Sequence, residues 1–97
     1  MAEARYYRGG DSLLPRPMDL RFDRATGLVK AERGVSVSTR PNGLDRFGGA
    51  YLLGPLPDEL QYVQIGKDPH HFEVIPIVPI SLERFEELLE QISLTRV

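Results

Sequence analysis

Val35, Val37 and Thr39 alternate with Ser36 and Ser38, the period-two pattern of a strand with one apolar face and one hydroxyl-bearing face. The same reading predicts several more short strands. Residues 4–8 form one, ended by Gly9-Gly10, and the apolar run Ala50 to Leu53 ends at Gly54-Pro55. Leu60 to Ile65 has strand composition and stops at Gly66. Phe72 to Ile77 is the most strongly apolar stretch, and Pro76 and Pro79 predict an edge strand, a bulge or an early exit from the sheet. Leu20-Arg21-Phe22 and Leu28-Val29-Lys30 flank a turn-forming segment that contains Gly27, a hairpin-like pattern. The final element changes period. Leu82, Phe85, Leu88, Leu89 and Ile92 fall on one helical face, Ser81 is placed to cap the helix, and Glu83, Glu86 and Glu87 suit its positive end.

The connections are punctuated by proline and glycine. Pro15 and Pro17 make Ser12 to Pro17 irregular, Pro41-Asn42-Gly43 breaks the serine strand, and Lys67-Asp68-Pro69 is a turn. A single helical turn fits around Leu44 to Phe47. The expected fold is α+β: compact, with mixed or antiparallel β-sheet and a C-terminal helix, and more strand than helix. The 97 residues make one domain, 1–97, with no room for a second core.

Composition narrows the function classes. Hydrophobic residues make up 41% and charged residues 27%, proportions of a soluble globular chain. Twelve basic residues against 14 acidic give a net charge of -2, which argues against a binder of phosphate backbones and makes nucleic acid a poor partner. The chain has no cysteine and two adjacent histidines, so neither a disulfide framework nor a metal site is expected. No stretch is long and apolar enough for a membrane span, and Met1-Ala2-Glu3-Ala4-Arg5 lacks the apolar core of a signal peptide. The expected location is cytoplasmic, with delivery by a specialised secretion system left open.

Three segments interrupt the apolar pattern with polar chemistry. In Tyr6-Tyr7-Arg8-Gly9-Gly10 an arginine meets two glycines at a strand end. Its planar fork of donors suits a pyrophosphate or ribose, the glycines let backbone approach a ligand, and of the two tyrosines one faces the core while the other is free to stack on a ring. Ser36 and Ser38 share one face roughly 6–7 Å apart, a spacing suited to a ribose or to holding a carboxylate. They serve equally as a plain solvent face. His71 and Glu73 likewise share a face, and an imidazole beside a carboxylate can divide acid–base work from charge stabilisation. His70 is expected in solvent. Other chemistries find no signature: there is no Gly-x-Ser-x-Gly elbow, no phosphate loop and no Gly-x-Gly-x-x-Gly.

Arg8 on a first strand, serines on a second and His71/Glu73 on a third resemble the outline of ADP-ribosyltransferase-type folds. More closely, Gly34-Val35-Ser36-Val37 followed by His71-Phe72-Glu73-Val74-Ile75-Pro76-Ile77-Val78-Pro79 looks like a small bacterial toxin family that includes a type VI secretion effector. There the pattern is Gly-Thr-Ser-Val, then His-Tyr-x-Ile-Met-Pro-x-x-Pro before a final helix. The resemblance covers residues 33 to about 90 and, loosely, Arg8. It implies NAD as cofactor, with Arg8, Ser36, Ser38 and Tyr7 in binding it and Glu73 and His71 as the catalytic pair. It also implies an intracellular macromolecular target and a cognate immunity or antitoxin protein.

Two further functions compete with this one. A non-enzymatic protein-binding module would use the serine and histidine strands as ordinary surface. An RNA-cleaving toxin would use His71 with Arg8, against the acidic balance of the chain.

Overall fold

Residues 4–97 are described by a computed structural model, in which six short strands pair into one sheet. Met1–Glu3, part of the N-terminal stretch discussed above, lie outside the described residues. In chain order the elements are β1 (Tyr7–Gly9), β2 (Val35–Ser38), β3 (Ala50–Leu53), β4 (Leu60–Gln64), β5 (His71–Pro76), α1 (Leu82–Glu90) and β6 (Leu94–Arg96). Single 3-10 turns at Pro17–Asp19 and Asp45–Phe47 punctuate the two long connections. The strand order is β4-β5-β2-β1-β3-β6, and each pairing is antiparallel. The α+β expectation holds at this level, with one antiparallel sheet and one helix.

Alternation along the strands sorts side chains to two faces. Val35 and Val37 on β2, Val74 on β5, Leu60 on β4 and Leu53 on β3 are buried in one cluster with Phe85, Leu88 and Leu89 of α1 and Ile92 just beyond it. The long β1–β2 connection contributes Leu13, Leu20 and Val29 to the same cluster. Ser81 caps α1 as expected, its hydroxyl accepting from the Arg84 N–H at 3.1 Å. Tyr6 is the core tyrosine: its ring stacks on Tyr62 with centroids 3.6 Å apart and meets Phe72 edge-on at 5.2 Å.

Four expectations are corrected or sharpened. β5 is not an edge strand, because it lies between β4 and β2. The early exit, the third reading of its prolines, is what the strand shows: Pro76 is its last residue, opposite Leu60, where the ladder ends. The hairpin-like pattern over 20–30 is present in short form: Phe22 bridges Val29, the Asp23 N–H donates to the Leu28 carbonyl at 2.8 Å and the Lys30 N–H to the Arg21 carbonyl at 2.7 Å, and Val29 bridges Ile80 as well. The helix is not the last element, since Leu94–Arg96 turns back along β3. His70 is half-buried rather than solvated, with Nδ1 at 2.6 Å from the Thr39 hydroxyl.

Candidate functional site

The sheet splits between β1 and β2. The two strands share one ladder position, Tyr7 opposite Ser38, and then diverge. Past that point a side chain replaces the missing backbone pairing: Arg8 Nη1 donates to the Ser36 carbonyl at 2.7 Å, while Nε donates to the Ser12 carbonyl at 3.1 Å. Arg8 therefore wedges the split open and ties the following loop to it. Its Nη2 makes no hydrogen bond among the described residues. Burial pushes the Arg8 pKa down, the Asp19 charge opposes that shift, and Arg16 adds to it. An arginine stays charged through such a shift, so the split holds a partly desolvated cation with a free donor edge.

This split opens into a cleft of about 870 Å³, within the ~300–1,000 Å³ usual for small-molecule sites. Its floor is built from Tyr7, Arg8, Ser36 and Ser38, one end from Asp68 and His71, and its rim from Leu14, Arg16, Asp19, Asn42, Arg46 and Phe47. Gly9 and Gly10 are small for a local reason. A Cβ on Gly9 would lie 2.7 Å from the Phe47 ring, and one on Gly10 would lie 2.8 Å from the Phe47 carbonyl oxygen. The rim turn at Asp45–Phe47 can close down on β1 only because these positions carry no side chain.

Of the six site residues expected from the sequence, five line the cleft: Tyr7, Arg8, Ser36, Ser38 and His71. The strands bearing them are adjacent in the order β5-β2-β1, with Ser38 directly opposite both Tyr7 and His71. The sixth, Glu73, faces the same way, opposite Ser36, yet it is not part of the lining and only 1% of its surface is exposed. Its carboxylate is covered. Arg33 Nη2 donates to Oε2 at 2.9 Å and Arg33 Nε donates to Oε1 at 3.1 Å, while the Gly34 N–H donates to Oε1 at 2.8 Å. On the cleft side, His71 Nε2 stands 3.6 Å from Oε2.

Burial by itself would push the Glu73 carboxyl pKa up, but the Arg33 fork and the Gly34 N–H outweigh it and hold the group below the ordinary carboxylate value. Gly34 has no alternative residue here, because a Cβ at that position would fall on the Val74 carbonyl oxygen. The sequence reading missed Arg33 as Glu73's partner. The two are 40 positions apart, and no local periodicity links them. The two adjacent histidines separate by role: His70 is tied to Thr39, and His71 faces the cleft.

Among the described residues, no three His, Cys, Asp or Glu side chains group to hold a metal ion, and no helix is long and apolar enough to cross a membrane. Compared with known proteins, the chain matches no family model, no curated protein and no solved structure.

Proposed function

We propose that the domain has an ADP-ribosyltransferase-like fold, binds NAD in the β1–β2 cleft, and transfers ADP-ribose from it to an intracellular target or hydrolyses it. In this reading the protein is a toxin restrained by a cognate immunity or antitoxin protein. The observation that carries the reading is the adjacency of β5, β2 and β1, which brings an arginine, two serines and a histidine from distant parts of the chain to one cleft. The residues fit such a ligand. Arg8 keeps a free Nη2 edge for a phosphate oxygen, Ser36 and Ser38 offer hydroxyls to ribose, and Tyr7 supplies an apolar face.

NAD supplies a ribose carbon whose bond to the nicotinamide nitrogen breaks with the electron pair leaving on nicotinamide. The acceptor's lone pair forms the new bond to that carbon. His71, which lines the cleft, would take the proton that the acceptor, or water in hydrolysis, gives up; Glu73, buried behind it and paired with Arg33, would have to be uncovered before its carboxylate could stabilise the positive charge that develops at the ribose carbon. Titration of the purified protein with NAD, followed by thermal stability, tests the binding step. A folded-state site raises the melting temperature with the logarithm of ligand above Kd, and a flat response across millimolar NAD removes the reading. The covering of Glu73 by Arg33 favours a second one, a module that binds without turnover. Nicotinamide release by the bound protein separates the two.

A further inference from the structure

Among the described residues Glu73 is the one buried acidic side chain, and the two groups that hold it differ in what would release them. The Gly34 N–H is part of a backbone segment pressed so closely on the Val74 carbonyl that no Cβ fits. That contact cannot open without moving β2 against β5. The other holder, Arg33, reaches Glu73 through a long side chain that is 41% exposed, so it can turn to solvent without moving either strand; because Glu73 is only 1% exposed, the charge left unpaired keeps that open form a minor state. Arg33 reaches both carboxylate oxygens, Nε donating to Oε1 at 3.1 Å and Nη2 to Oε2 at 2.9 Å, whereas Gly34 holds Oε1 alone. With Arg33 withdrawn, Oε1 would keep its backbone donor, and Oε2, the oxygen nearest His71, would lose its arginine.

We propose that Arg33 is a latch on the cleft: with its guanidinium on Glu73, the site is closed to chemistry, and when the side chain swings into solvent, Oε2 is presented beside His71 while Gly34 keeps Oε1 in register. The proposal deepens the NAD reading and rests on it for its catalytic consequence, but the exposure of Glu73 is a property of this chain with or without a ligand. The latched form retains every cleft-lining group, so NAD binding and NAD turnover separate. Arg33 regulates the second and leaves the first nearly unchanged.

The experiment compares wild type, Arg33→Gln and the double variant Arg33→Gln/Glu73→Gln by two readouts. The first is carboxyl footprinting with a carbodiimide and an amine, read at Glu73 by mass spectrometry. The second is nicotinamide release at a fixed NAD concentration, with NAD binding measured alongside by thermal shift. An open state populated at about 10% or less in wild type predicts that Arg33→Gln labels Glu73 and releases nicotinamide roughly tenfold faster or more. NAD affinity should stay within about twofold, and the gain in release should vanish in the double variant.

A folded Arg33→Gln protein whose Glu73 labels no faster than wild type overturns the latch, whatever NAD does. Faster labelling and intact NAD binding without faster release also overturns its catalytic role, and leaves the cleft as a binding site. Faster labelling in a protein that binds no NAD overturns the underlying NAD reading and the latch's function with it. If Arg33→Gln does not fold, Arg33→Lys decides by the same readouts, because lysine keeps the charge but loses the two-point fork.

Discussion

On one face of the β2–β5 ladder, Val35, Val37 and Val74 meet the helix and are sealed from water; on the other, Ser36, Ser38 and His71 line an open cleft, with Glu73 beneath an arginine. The backbone pairing is the same for both faces, since each residue of β2 sits opposite one of β5 in a single register. The chemistry differs because alternate side chains leave the ladder in opposite directions. The apolar face draws its stability from area removed from water, which tolerates many arrangements of similar volume. The polar face depends on individual donors and acceptors being matched, and there a single unmatched group is costly. A slip of one residue in this register would exchange the two faces.

The largest expected effect on this contrast comes from the apolar side. Phe85 is fully buried at the centre of the helix contact, so Phe85→Ala should cost about 3–5 kcal/mol of unfolding free energy. Denaturant unfolding measures it, and a loss below about 1 kcal/mol would mean that α1 is not the lid of the core.

Next is the charge on the polar side. Glu73→Gln keeps the shape of the side chain but loses the charge that Arg33 and Gly34 hold, and should cost about 1–3 kcal/mol near neutral pH. The sign of its pH dependence follows from the depressed carboxyl. The folded protein holds Glu73 below the unfolded value, so the stabilisation is fully present above an unfolded pKa of about 4.3 and is lost as pH falls through the folded value. Wild type and Glu73→Gln should therefore converge in stability under acid. Parallel curves down to the lowest pH at which both fold would break this assignment.

Arg8→Gln removes both the wedge in the β1–β2 split and the cation of the cleft. A charge-assisted hydrogen bond is worth about 1.5–3 kcal/mol, so NAD affinity should fall by roughly 10- to 100-fold. An unchanged thermal shift with NAD in a well-folded variant would move the ligand away from this split.

The smallest effect sharpens the comparison most. Ser36 is exposed and its hydroxyl makes no bond among the described residues, so Ser36→Ala should leave stability within about 0.5 kcal/mol. A loss of NAD affinity worth about 0.5–1.5 kcal/mol in that same variant would assign the polar face to ligand rather than to the fold.

Much of the fold was legible in local pattern. The alternation in Val35 to Thr39 placed β2 and its two faces, and the spacing from Leu82 to Ile92 placed α1 and its buried stripe, because each period is a property of the backbone alone. The glycine pair after Arg8 fell at the end of β1, although the strand runs Tyr7–Gly9 rather than over 4–8 and takes in Gly9, opposite Ala50. Other elements were not legible. Leu94–Arg96 is three residues long and becomes a strand only because β3 offers an unpaired edge. The prolines of Phe72 to Ile77 suggested an edge, a bulge or an early exit; the exit at Pro76 is a local property, but edge or interior is a matter of which strands flank it, and that is not written in the strand itself.

For the site the division is sharper. By itself, the sequence determined which side chains share a face, since that follows from backbone geometry over a few residues; that Gly9, Gly10 and Gly34 admit no side chain depends on Phe47 and Val74, brought to them by the fold. The sequence therefore placed Tyr7, Arg8, Ser36, Ser38 and His71 as candidates before any tertiary contact was known. Only the tertiary structure decided that β5, β2 and β1 lie side by side, that the sheet parts after Tyr7, and that Glu73 lies under Arg33 instead of in the cleft. Those contacts join residues 28 to 40 positions apart. Their partners are selected by the packing of the whole domain, where burial makes an ion pair worth forming, and no short window of sequence carries that information.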